Sequence, residues 1–165
     1  MATLSGTTAV SMNLVYQGAT SIEGSLDTVV INRKDAIVYA NGTGSGQANV
    51  LFRNRLSVSS GGGSGSIDFN ALLDPYGTTN NWAKIKRFKV FNENTVAGDD
   101  VILSGDIFGA WGNAADTFTL RARGTWYVEA PVDGYTVTAT TQDVLTYTNN
   151  GSNAVTLYFE GIGNT

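Results

Sequence analysis

The sequence predicts an all-β chain folded as an antiparallel β-sandwich of jelly-roll type. Three observations carry this. Across Gly105 to Thr138 side chains alternate with a period of two. Phe118, Leu120 and Ala122 stand against Thr117, Thr119, Arg121 and Arg123, then Trp126, Val128 and Ala130 against Tyr127 and Glu129. That is the pattern of strands with one buried face. Glycine is abundant at 20 residues and proline scarce at 2, which suits short strands joined by tight turns and suits helices badly. Turn-forming clusters also punctuate apolar segments roughly every 8–12 residues, as in sandwiches and jelly rolls. The run Gly105 to Thr138, with two of the three tryptophans, is expected near the centre of the sandwich.

The first strand spans residues 7–17, with Val10, Met12, Leu14 and Tyr16 in alternation. Gly18 and Gly24 bracket a turn region. Leu26 to Ile31 and Ala36 to Ala40 read as two strands, separated by a polar turn at Asn32 to Asp35. Asn41 to Gly46 is a loop. Gln47 to Ser59 is a strand whose register breaks near Asn54, so a bulge is expected at Arg53 to Arg55. Ser60 to Ser66 (SGGGSGS) reads as a long surface loop. Ile67 to Leu73 is short and apolar and ends in the turn Asp74-Pro75-Tyr76-Gly77. In Trp82 to Asn92 the apolar phase slips by one between Ile85 and Phe88, which predicts a bulge at Lys86–Arg87. Val101 and Leu103 open a short strand. The last two strands, Val144 to Thr148 and Ala154 to Ile162, flank Asn149-Asn150-Gly151-Ser152, a strong hairpin signal. No segment reads as a persuasive helix.

At 165 residues and 17.4 kDa the chain has the length of one domain, 1–165, with 1–6 as an N-terminal arm. A domain of that size buries about 70% of its unfolded surface and needs no disulfide staples. The formal net charge of −4 makes it a poor binder of nucleic acid, which requires Lys and Arg to displace counterions. There is no cysteine and no histidine. Thiolate metal sites, Cys nucleophiles, Ser/His/Asp and Cys/His arrangements and the usual zinc sites are therefore missing. Residues 1–10 carry no basic and apolar leader pattern, and no apolar run approaches a membrane span. The expectation is a soluble chain without cofactor or membrane partner.

Candidate chemistry is sparse. The Gly-rich runs lack the lysine spacing and following helix of a phosphate loop. Lys84, Lys86, Arg87 and Lys89 read first as charges guarding an edge strand, or as salt-bridging groups for an acidic partner subunit. Trp126 falls in phase with the core, whereas Trp82 and Trp111 adjoin polar loops where a sugar or a protein interface would use an amphipathic ring. Asp99, Asp100 and Asp106 match no EF-hand spacing. Glu23, Glu93, Glu129 and Glu160 are scattered and form no recognisable glycosidase pair, so no enzyme is expected. The candidate interface residues are Trp82, Lys84, Lys86, Arg87, Phe108, Trp111, Asp133 and Tyr135.

The order of several short motifs extends the reading. These are Gly44-Ser45-Gly46-Gln47-Ala48-Asn49, Asp74-Pro75-Tyr76-Gly77 leading into Ala83-Lys84-Ile85-Lys86, and Phe108-Gly109-Ala110-Trp111. Glu129 to Tyr135 with Val137 follows, and then the Asn149 to Ser152 turn. In this order, from residue 44 onward, the chain resembles small virion structural proteins of tailed bacteriophages, of the head decoration or cement type. The resemblance implies a jelly roll or β-sandwich bound to the outer surface of a capsid, made in the host cytoplasm. It also implies contact with the major capsid protein and assembly as a dimer or trimer. The alternative is a carbohydrate- or receptor-binding β-sandwich on a tail or virion surface.

Overall fold

A computed structural model describes the backbone of residues 6–19, 26–74 and 76–165, and the side chains of residues 7, 9, 36–74 and 76–165. Two long strands come first, β1 (Gly6–Ala19) and β2 (Leu26–Asn41), paired antiparallel without interruption from Gly6 opposite Tyr39 to Ala19 opposite Leu26. The end of β2 pairs in parallel with the short β3 (Gln47–Ala48). The following strands are β4 (Val50–Val58), β5 (Ser64–Asp68), β6 (Leu72–Leu73), β7 (Thr79–Asn80), β8 (Lys84–Asn92) and β9 (Val101–Ser104). One helical turn, α1 (Phe108–Trp111), precedes β10 (Phe118–Leu120), β11 (Thr125–Glu129), β12 (Tyr135–Thr136), β13 (Val144–Asn149) and β14 (Val155–Asn164).

Nine of these strands make two antiparallel sheets, ordered β10-β9-β13-β5 and β11-β8-β14-β4, with β12 also paired to β8 in the second. The pairings are nested: β4 with β14, β5 with β13, β8 with β11, and β9 with β10. First pairs with last and second with second-last, which is one long antiparallel hairpin rolled up into two sheets. The fold is a jelly roll, and it closes a sandwich over one core. That core holds Phe52, Phe69, Trp82, Phe88, Leu103, Leu120, Leu145, Leu157 and Phe159. Both inner faces contribute by strict alternation, as in Val144 to Asn149, whose even members are half-buried and odd members buried.

The predicted bulge is present. The ladder between β14 and β8 steps from Ile162 opposite Arg87 to Gly163 opposite Ile85, leaving Lys86 as the extra residue. The other expected bulge is absent, because β4 pairs with β14 without a break from Val58 to Val50. Val50, Phe52, Asn54, Leu56 and Val58 all turn inward, so Asn54 is a half-buried polar residue in phase rather than a defect.

Several expectations are corrected. Gly105 to Thr138 does not form a central hairpin, since β10 and β11 are the edge strands of different sheets. The Asn149 to Ser152 turn joins β13 and β14 across the sandwich and not side by side. Asn149 is wholly buried, and its side-chain amide donates to the carbonyls of Val58, Ser59 and Asn153 while its oxygen accepts from Gly151 N. An asparagine spent that way ties an inter-sheet arch. Residues 32–35 form no turn, because they pair with Asn13 to Val10 inside β2. A two-stranded ribbon has no sheet interior to reject a polar run. Gly18 lies within β1, and residues 20–25 fall outside the described ones, as do Pro75 and all of the expected arm except Gly6.

The Gly-rich run Ser60 to Ser66 is a loop only as far as Gly63, since Ser64 to Ser66 belong to β5. Gly65 lies against the Tyr147 ring, and a Cβ there would come within 2.6 Å of Tyr147 Cζ. Strand β8 is no edge either, with β14 on one side and β11 and β12 on the other.

Candidate functional site

The candidate residues fall into four places. Trp82 is a core residue, 1% exposed and tilted against Phe69 at 5.8 Å, so it offers no ring face to a partner. Its neighbouring polar loop misled the sequence reading.

Lys84, Lys86, Asp133 and Tyr135 come together at one corner. Tyr135 pairs opposite Ile85 and Thr136 opposite Lys84, and Ala130 N donates to Lys86 O. The bulge turns Lys86 into this corner, where it is buried at 1% exposure and its Nζ donates to Val132 O at 2.7 Å. Burial lowers the Lys86 pKa first of all, and Lys84 lowers it further, against an opposing pull from Asp133. The basic residues therefore form no continuous stripe. Lys86 fastens the Pro131 to Tyr135 corner, while Arg87 and Lys89 emerge on the outer face of the sheet, each 3.5 Å from Glu160.

That outer face receives the base of the ribbon. Tyr39, 2% exposed, packs with Ala48 and Ile162, and Ile37 flanks them. The Tyr39 hydroxyl donates to Glu129 Oε1 at 3.1 Å, and the Tyr127 hydroxyl donates to Oε2 of the same carboxylate. The Arg87 guanidinium lies over the Tyr127 ring at 5.1 Å. Beside this clasp, Thr7 and Ala9 of β1 face Leu51, Arg53 and Tyr158 across a groove of about 450 Å³.

Phe108 and Trp111 meet at the fourth place, joined by Trp126. The one-turn helix α1 closes with Gly112 N donating to Phe108 O at 2.7 Å. It brings the Trp111 ring to 4.7 Å from Trp126 and 5.4 Å from Phe108. Phe69 in the core meets Trp111 edge-on at 6.3 Å. The rings line a recess of about 350 Å³ between β10 and β11, the free edges of the two sheets, with Asp116, Thr117 and Phe118 at its mouth. Phe118 is 40% exposed. Parity reasoning assigned Trp126 to the framework, yet at a sheet edge the same ring also borders solvent. Nothing in the sequence marked Asp116.

Among the described residues, the acidic candidates are engaged in structural roles. Asp99 accepts from the Asn94 and Asn153 amides, Asp100 pairs with Arg121 at 2.6 Å, and Asp106 Oδ1 accepts from Asp143 N and Val144 N. Glu93 pairs with Arg55 at 2.6 Å. Among the described residues, no three acidic, histidine or cysteine side chains converge as metal ligands, and no helix is long and apolar enough to cross a membrane.

No family model matches the chain, and no curated protein does. Among solved structures it is similar to the cupin domain of Schizosaccharomyces pombe Cnp3 at 10% identity and a TM-score of 0.38, over 93% of this chain and 83% of that one. A likeness of that size carries no argument about function, and the jelly-roll assignment rests on the strand order above.

Proposed function

We infer that the chain is a non-catalytic virion structural protein, a capsid decoration protein that stabilises a tailed-phage head through contacts to the major capsid protein. The observation that carries the reading is the β1 edge. At about 3.4 Å per residue, its 14 residues run for about 48 Å. Among the described residues β1 pairs with β2 alone, and it contains no charged residue and no proline. Long, uncharged edge strands invite pairing, and proteins that stay apart blunt them with charge, proline or brevity. An edge left this way suits a protein whose working state is an assembly, with the edge laid along a neighbouring subunit. The clasp at Tyr39 and Glu129 fixes where the ribbon leaves the sandwich.

The resemblance from residue 44 onward supports the same reading, and the rigid jelly roll supplies a scaffold. Binding only to the assembled lattice raises lattice stability by mass action. Heads with and without the protein are to be heated in parallel: a higher rupture temperature with it is expected, and equal temperatures overturn the stabilising role.

A further inference from the structure

The geometry points to a second function carried by the same chain, a binding site for a neutral saccharide in the recess between β10 and β11. The recess measures about 350 Å³, at the small end of ligand pockets. Its walls are the half-buried rings of Trp111 and Trp126 above buried Phe108, and its mouth sets Asp116 and Thr117 beside the exposed ring of Phe118.

The site is built before any ligand arrives. Trp111 is fixed on three sides by Phe69, Phe108 and Trp126, at ring distances of 6.3, 5.4 and 4.7 Å. The loop that carries Asp116 is folded on itself: Asp116 N donates to Asn113 O at 2.9 Å, and Ala115 N donates to Asn113 Oδ1 at 3.0 Å. Asp116 Oδ2 receives a long bond from Asn113 N at 3.3 Å, and Oδ1 has no partner among the described residues. Little ordering is left for a ligand to impose.

The chemistry of the lining selects the class. Aromatic walls take an apolar face, and a carboxylate with a threonine hydroxyl takes hydroxyl donors. A pyranose offers both, with C–H groups on its faces and O–H groups around its rim. Among the described residues no lysine or arginine lines the recess, so a phosphate, sulfate or sialic acid would meet Asp116 uncompensated. A proline-rich peptide would bring carbonyl acceptors to a mouth that needs donors.

The test uses the intact chain, free of any particle, so its outcome is separate from that of the capsid reading. Neutral hexose and N-acetylhexosamine oligosaccharides are screened on an array, with sialylated and sulfated glycans alongside. Hits are titrated by tryptophan fluorescence and by saturation-transfer NMR. Saturable binding to at least one neutral glycan is expected. Asp116→Asn and Phe118→Ala, both at exposed positions, are expected to weaken it at least fivefold, and Trp111→Ala to abolish it. Tyr76→Ala, on the exposed β6–β7 turn and outside the lining of the recess, is expected to leave it unchanged. No saturable binding to any neutral glycan, binding confined to anionic glycans, or affinity unmoved by Asp116→Asn and Phe118→Ala overturns the proposal.

Discussion

Tyr39, a residue 2% exposed on β2, donates its hydroxyl hydrogen to Glu129 Oε1 on β11 at 3.1 Å across 90 residues of sequence. That bond, with Ile37, Ala48 and Ile162 around it, joins the ribbon to the jelly roll. Hydrogen bonds to a charged group contribute about 1.5–3 kcal/mol. Tyr39→Phe is therefore expected to lower unfolding free energy by about 1.5 kcal/mol in urea melts. Amide exchange should quicken over residues 36–41 and leave β13 unmoved.

The second prediction concerns alkaline pH. Burial pushes the Tyr127 hydroxyl well above its ordinary value of 10.0, its bond to Glu129 pushes it further, and Arg87 pulls the other way. A folded-state value above the unfolded one means a stabilising contribution fully present below pH 10 and lost as pH rises through the folded value. Tyr147 and Tyr158 are raised by burial in the same direction. Lys86 acts oppositely: its folded value lies below 10.5, so its share of stability grows as pH climbs through that window. Comparing Tyr127→Phe with the parent cancels the Lys86 part. Urea melts from pH 8 to 11.5 are expected to show a shallower alkaline loss in the variant; an identical slope contradicts the assignment.

Gly65 supplies the third. Its Cα lies so close to the Tyr147 ring that a methyl group would sit 2.6 Å from Cζ. Overpacking a filled core costs about 1–3 kcal/mol, so Gly65→Ala should lower the thermal midpoint by several degrees. Removing the phenol oxygen frees part of that space. The double variant with Tyr147→Phe is expected to be more stable than the sum of the two single effects.

Lys86 gives the fourth. Its buried ammonium meets one carbonyl, Val132 O, and Val132 itself is 58% exposed. Lys86→Met removes a desolvated charge and leaves that carbonyl near water, so stability at pH 7 is expected to change by less than about 1 kcal/mol. Lys86→Glu would bury a carboxylate against the same oxygen and should cost more than about 3 kcal/mol.

These residues also mark what was legible beforehand. The slip of apolar phase between Ile85 and Phe88 located the Lys86 bulge, because side-chain parity is a local property that strand pairing preserves. Sheet membership is not local. Asn149 to Ser152 has the composition of a hairpin, and the same residues turn equally well into an arch between sheets. Only the burial of Asn149 among the carbonyls of Val58, Ser59 and Asn153 separates the two. Gly65 was hidden for a related reason: a glycine that makes room for a ring looks like a glycine in a loop until Tyr147 is opposite it. The recess was half visible. Phe108 and Trp111 were singled out, but Trp126 and Asp116 join them only because β10 and β11 end up as neighbouring edges of two sheets.

In the proposed role the chain forms part of a capsid surface, with its uncharged edge strand laid against a neighbour. A cryo-electron microscopy map of the intact phage head tests it most directly. Jelly-roll density is expected on the outer shell, with β1 paired to a strand of an adjacent subunit; heads without this density, or with β1 facing solvent along its length, would overturn that role.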